Sequence, residues 1–166
     1  MSDAKIQIKN LYKIFGKSPQ KALKPVQSGM GKDALREETG HVLGVDNVSL
    51  DIAPQNIQVV MGLSGSGKST LIRHINRLIE PTAGEIFVDG ENVLTMDKDA
   101  LRDLRRFKMS MVFQHFGLFP HRRVIENVTY GLIVQGVDEN EAQKRAKQWI
   151  SRVGLEGYEN NYPGQL

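Results

Sequence analysis

The chain has 166 residues, a net charge of +3, 40% apolar and 25% charged side chains, and no cysteine. Those figures describe one globular domain with a real core, rule out disulfides and thiolate metal sites, and leave no apolar run long enough to span a bilayer. The opening "MSDAKIQIKN" lacks the apolar stretch of a secretory signal, so a cytoplasmic location is expected.

The first predicted element is a half-exposed strand in "KIQIKNLYKIF", where Ile6 and Ile8 alternate with polar residues up to a stop at Gly16. A second strand is predicted in "VLGVDNVSLDI". The polar residues 17–41 between them contain Pro19 and Pro25, then "GKDALREETG", a short helix stopped by Gly40. This segment has the character of an insert riding on a sheet.

At 57–61, "IQVVM" is a β-branched run predicted as a strand. From Lys68, "KSTLIRHINRLI" places Leu71, Ile72, Ile75 and Leu78 on one helical face, and "EPTAG" closes that helix. "EIFVDGENVL" predicts a hairpin turning on Asp89-Gly90, a pair suited to positive φ. A helix around 98–105 leads to "MSMVFQ", a further short strand ending at Gln114. The tail is predicted helical in "VIENVTYGLIV" and again in "EAQKRAKQWISRVGL", whose stripe is Ala142, Ala146, Trp149, Ile150 and Val153. The basic run "LRDLRRFK" at 101–108 has the composition of a solvated face, and no nucleic-acid partner is expected.

Between the 57–61 run and the following helix lies the motif with the clearest chemistry. Gly62-Leu63-Ser64-Gly65-Ser66-Gly67-Lys68-Ser69 matches G-x-x-x-x-G-K-S/T in full. Its glycines let successive N–H groups turn inward as an anion nest at the positive end of a helix. Lys68 then reaches the β- and γ-phosphates, and the Ser69 hydroxyl sits on Mg²⁺. Neither D-x-x-G nor N-K-x-D occurs, which argues against a GTPase, and two predicted strands ahead of the loop argue against a small nucleotide kinase.

"LSGSGKST" followed by "MVFQHFGLFPHRRVIENV" resembles the phosphate loop and Q-loop of the ATP-binding subunits of ABC transporters, in the usual order and over the whole chain. The long insert, "NLYKIFG" and "GLSGSGKSTLIRHINRLIEPTAGEI" are similar to the glycine betaine/proline importers within that family. One departure is Gln55-Asn56, where the family commonly has glycine-glutamate, and it puts the turn there in question.

The resemblance implies an α/β fold, a partial P-loop core with an N-terminal antiparallel β lobe over residues 1–113, passing into the Q-loop and the first part of a helical subdomain over 114–166. It implies ATP and Mg²⁺ as ligands, bound by Phe15, Gly62, Ser64, Gly65, Ser66, Gly67, Lys68, Ser69 and Thr70, with Ser69 and Gln114 on the metal and Gln114 beside the attacking water. Stacking a base on an aromatic ring contributes about 1–3 kcal/mol; Phe15 is the first candidate and Tyr12 its rival. Gln114 has the bland alternative of ending an exposed strand. Phe113, Phe116 and Phe119 suit either core packing or a docking surface, and His115 and His121 are read as surface or capping groups.

The partners implied are a membrane-spanning permease and a second ATP-binding subunit, with the chain peripheral on the inner face of the membrane. Hydrolysis in the family also needs an Asp for Mg²⁺, an adjacent Glu, a switch histidine and an LSGGQ-like segment; the tail "YPGQL" resembles the approach to that segment. Asp89 of "EIFVDG" is read as a turn residue and not as the missing carboxylate. The chain is therefore expected to be a fragment of a longer protein that binds ATP with little or no turnover, and whose 57–61 strand exposes apolar side chains for want of sheet neighbours. A soluble ABC ATPase uncoupled from transport and an inactive remnant are the alternative classes.

Overall fold

A computed structural model describes residues 4–114 and 117–166, in two compact units that divide between Leu101 and Arg102. In the first unit, β1 (Ile6–Phe15) and β2 (Val42–Ile52) pair antiparallel, β3 (Ala83–Val88) lies on the other side of β1, and β4 (Glu91–Asn92) closes the order β2-β1-β3-β4. β1 is central because both its faces carry apolar side chains: Ile8, Leu11, Tyr12 and Ile14 are all buried. A bulge interrupts it at Asn10 (φ 45°), whose backbone N–H donates to Ser49 Oγ at 2.9 Å and whose side-chain amide donates to Asn47 Oδ1 at 3.1 Å.

The β3–β4 hairpin turns on Asp89 (φ 51°) and Gly90 (φ 80°), as the sequence predicts. The Asp89 carboxylate is held by Lys5 Nζ at 2.6 Å. It therefore serves the turn, in line with the reading of "EIFVDG" as a hairpin.

The insert folds as two short helices, α1 (Gln20–Gln27) and α2 (Lys32–Thr39). The second starts at the extended Gly31 and stops on left-handed Gly40 (φ 70°), where the sequence places its end; the first, carrying Pro25 inside it, is not anticipated. Ala22, Val26 and Leu35 bury against Tyr12, Ile14 and Leu43 to make one apolar cluster. Val26 and Leu35 each contribute about 1.5–3 kcal/mol, enough to fix the insert on the sheet.

The segment 57–61 is not a strand. A strand holds its backbone groups by pairing with a neighbour, and among the described residues no strand lies alongside it. The exposure expected for this segment is present: Ile57 is 93% and Met61 86% accessible. The predicted strand ending at Gln114 is likewise absent, and for the same reason; Val112 and Phe113 stand exposed.

Helix α3 (Lys68–Ile75) begins at the phosphate loop and is shorter than the apolar stripe suggests. Arg77 takes φ 52°, the helix has already ended at Ile75, and its buried side chains are Leu71 and His74, while Ile72 and Leu78 face water. After β4, α4 (Lys98–Asp103) continues into a wide helical turn, Leu104–Lys108.

The second unit is built on α5 (Val124–Val134) and α6 (Glu139–Arg152), which pack on each other. Ala142, Ala146 and Ile150 form the buried side of α6, whereas Trp149 and Val153, also assigned to that stripe, are exposed. The Trp149 ring instead lies under the Arg152 guanidinium at 4.9 Å. The start of α5 is pinned by Asn127, whose side-chain amide donates to the carbonyls of Phe119, Arg122 and Arg123 and whose Oδ1 accepts from Phe119 N–H at 2.8 Å. Phe119 meets Tyr130 edge-on at 4.8 Å, and Arg122 lies over both rings. His121 is an exposed residue touching the Phe119 ring; His115 and Phe116 lie outside the described residues.

Candidate nucleotide site

The phosphate loop passes from Gly62 into α3 through Gly67, which occupies the N-cap position with φ 90°. A side chain at residue 67 would collide with the carbonyl oxygen of Gly44, near the start of β2. Gly44 in turn has no side chain because the Phe15 ring lies there: a Cβ at residue 44 would stand 2.5 Å from Phe15 Cε2. One bare point in β2 thus brings the loop and the aromatic ring to the same place. A glycine inside a strand is a recognised sign of close backbone approach, and Gly44 is the site residue that sequence reasoning passed over.

The result is a cleft of about 240 Å³ lined by Phe15, Gly65, Ser66, Gly67, Lys68, Ser69 and Thr70, together with Gly44 and Lys32. Phe15 is 39% exposed, while Tyr12 is buried in the cluster under the insert, which leaves Phe15 as the ring that faces the cleft. Lys13 Nζ sits 4.9 Å from the Phe15 ring centre and donates to Glu80 O at 2.7 Å. Burial lowers the Lys13 pKa from its ordinary value, partly offset by Glu80. A larger cavity of about 760 Å³, lined by β2 residues such as Val48 and Leu50 and by Val59, Val60 and Gly62, adjoins the same loop but not Phe15. Ser64 lines neither.

Lys68 turns back on its own loop: Nζ donates to Gly62 O and Leu63 O, both at 2.7 Å, and reaches Ser66 Oγ at 3.4 Å. The first intrahelical bond of α3 runs from Leu71 N–H to Gly67 O at 2.8 Å. The N–H groups of Lys68, Ser69 and Thr70 ahead of it have no acceptor within the helix, which suits an anion. No carboxylate among the described residues lines the smaller cleft. Among the described residues no cluster of three or more His, Asp or Glu side chains could hold a metal.

A family model described as "ABC transporter" matches residues 45–166. The chain belongs to the ABC transporter family. It is 51% identical over 162 residues to the glycine betaine transport ATP-binding protein OpuAA of Bacillus subtilis, covering 98% of this chain and 39% of that protein. It is 46% identical to the glycine betaine/proline betaine transport system ATP-binding protein ProV of Escherichia coli, covering 98% and 40%. The chain thus spans about two-fifths of the length of the curated relatives it matches. Among solved structures, the ATP-binding cassette MJ0796 in a dimeric post-hydrolysis state bound to ADP and Pi superposes with a TM-score of 0.77 at 30% identity, covering 97% of this chain and 62% of that one.

As in an ABC ATPase fold, the antiparallel sheet and the loop-to-helix junction of the first unit form a partial P-loop core. Gln114 belongs to the second unit, where it is exposed. Gln55, at the turn that the sequence put in question, takes φ 61° and keeps that turn with a side chain in the left-handed region.

Proposed function

We propose that this chain binds ATP with Mg²⁺ in the cleft between Phe15 and the phosphate loop, as part of the ATP-binding component of an importer for glycine betaine-type osmoprotectants. The observation that carries the reading is the meeting of an exposed aromatic ring and a complete phosphate loop in one cleft, through Gly44. Phe15 stacks on the base, the loop amides and Lys68 hold the phosphates, and Ser69 offers its hydroxyl to the metal. Bound Mg²⁺ supplies charge neutralisation of the phosphate chain, and Gln114 is assigned to sensing it. By family resemblance the functional boundary between core and helical part falls at 113/114, whereas the compact units divide between Leu101 and Arg102.

The chain works with a membrane-spanning permease and a second ATP-binding subunit, peripheral on the inner face of the membrane. In support, its relatives are named as ATP-binding proteins of glycine betaine transport systems, and MJ0796 is described as a dimer. Among the described residues no helix is long and apolar enough to cross a membrane.

Turnover by this chain is slow, because among the described residues no carboxylate lines the Phe15 cleft to polarise water; a general base contributes about 10²–10⁴ in rate. Titration of a fluorescent ATP analogue with Mg²⁺ tests the binding step. Saturable binding that Lys68→Ala weakens at least ~30-fold, the scale of a charge-assisted contact of about 2 kcal/mol, is expected. No saturation at millimolar nucleotide, or equal binding by Lys68→Ala, overturns the reading. Phosphate release at rates usual for ABC ATPases would overturn the view of turnover.

A further inference from the structure

We propose that Lys32, supplied by the insert, is a second cation for the phosphate chain of a nucleotide held in the Phe15 cleft. The inference rests on the nucleotide reading of that cleft and adds a residue outside the phosphate loop to it.

Lys32 is the first residue of α2, directly after the extended Gly31, and the turn is closed by Leu35 N–H donating to Gly31 O at 2.9 Å. Leu35, three positions on and so on the same side of the helix, is fully buried in the cluster with Ile14 and Leu43. That anchor sets Lys32 over β2, where it lines both the smaller cleft with Phe15, Lys68 and Ser69 and the larger cavity beside it.

Asp46 lines the larger cavity with both lysines but not the smaller cleft. The Lys32 side chain makes no hydrogen bond or ion pair with any described residue, and its helical neighbours at three and four positions are Leu35 and Arg36, neither a carboxylate. Two lysines, 32 and 68, therefore line a small cleft to which no acid among the described residues contributes. Like charges in one cleft disfavour each other, and the burial of Leu35 fixes the α2 backbone from which Lys32 reaches the cleft. An anion entering the cleft relieves both charges at once. Lys68 already has three loop oxygens within reach, so Lys32 is the cation with the open valence.

The test compares the 166-residue chain with Lys32→Ala and Lys32→Arg, using a fluorescent ATP analogue displaced by ATP or by inorganic tripolyphosphate, which has no base. Lys32 is exposed, so neither variant disturbs the core; circular dichroism checks this. Lys32→Ala is expected to weaken ATP and tripolyphosphate alike, by about tenfold at low salt, with the difference shrinking as salt is raised, and Lys32→Arg to stay near the unaltered chain. Equal affinity of Lys32→Ala and the unaltered chain overturns the inference while leaving the nucleotide site standing. A loss seen for ATP but not for tripolyphosphate also overturns it, since the lysine then serves the base or ribose. Absence of saturable binding by the unaltered chain removes the nucleotide reading and this inference with it.

Discussion

The backbone carbonyl of Gly44 occupies the space that a side chain on Gly67 would need, so β2 and the phosphate loop touch without any side chain between them. Residue 67 also has φ 90°, which an L side chain adopts only under strain. Gly67→Ala therefore meets both a collision and a backbone penalty, and a loss of about 3 kcal/mol or more is expected. Gly65→Ala is the control. It shares the positive φ (77°) but has no heavy atom within 4 Å of the new methyl, so it should lose only about 1–2 kcal/mol. Urea midpoints of the two variants measure the difference, and equal losses would contradict the close approach at Gly44.

Gln55 holds a left-handed conformation (φ 61°) at an exposed turn. Removing the side chain relieves about 1–2 kcal/mol of backbone strain, less the entropy that glycine adds to the unfolded chain. Gln55→Gly is expected to raise stability by roughly 0.5–1 kcal/mol, read as an upward shift of the thermal midpoint.

His74 is fully buried on α3, with Nδ1 donating to Thr70 O at 2.6 Å and Nε2 without a partner. Burial pushes its pKa below the ordinary value, and Lys13 adds to this; the Thr70 carbonyl and Glu80 oppose it. The unfolded chain therefore binds the proton more readily than the folded one, and stability rises with pH across that interval. The contribution is complete above about pH 6.5 and is lost as pH falls below that value toward the folded pKa. Denaturant midpoints should drop between pH 7.5 and pH 5.5. His74→Leu should give up about 1 kcal/mol at pH 7.5 for its hydrogen bond while flattening that drop, and an unchanged pH profile would show that His74 is not the group responsible.

Asn127 ties the 119–123 segment to α5 with four hydrogen bonds. Asn127→Asp keeps the shape but removes the donors and sets a carboxylate against three carbonyls. A loss of roughly 2–3 kcal/mol is expected, and with it a loosening of the Phe119–Tyr130 contact, visible as faster hydrogen exchange over 119–126.

How much of this was legible beforehand depended on whether a feature is local. β1, β2, α2, α5, α6 and the Asp89-Gly90 hairpin follow from alternation, apolar stripes, a stopping glycine and a turn pair, all of which act within a few residues. The runs at 57–61 and 109–114 have strand composition, but a strand exists through its neighbour, and no neighbour is written into a β-branched run. Trp149 and Val153 lengthened the α6 stripe on paper only, since helical spacing says where a side chain points and not whether anything is there to cover it.

The choice between Tyr12 and Phe15 turned on the bulge at Asn10. It breaks the two-residue alternation, so Leu11 and Tyr12 are both buried and parity counted from Ile6 cannot place the residues beyond. Gly44 could have been picked out as a glycine inside a strand. Lys32 could not, because only the burial of Leu35 three residues later gives an exposed lysine a fixed place.

The three contacts that Lys68 makes with its own loop have a thermodynamic corollary. Any guest oxygen must be swapped for one already in place, so affinity reflects only the preference of an ammonium for an anion over neutral carbonyl and hydroxyl oxygens, a fraction of the gross attraction. In return the loop keeps its curvature through contacts of its own, and little ordering is left to be done when an anion binds. Lys68 is in this sense its own placeholder.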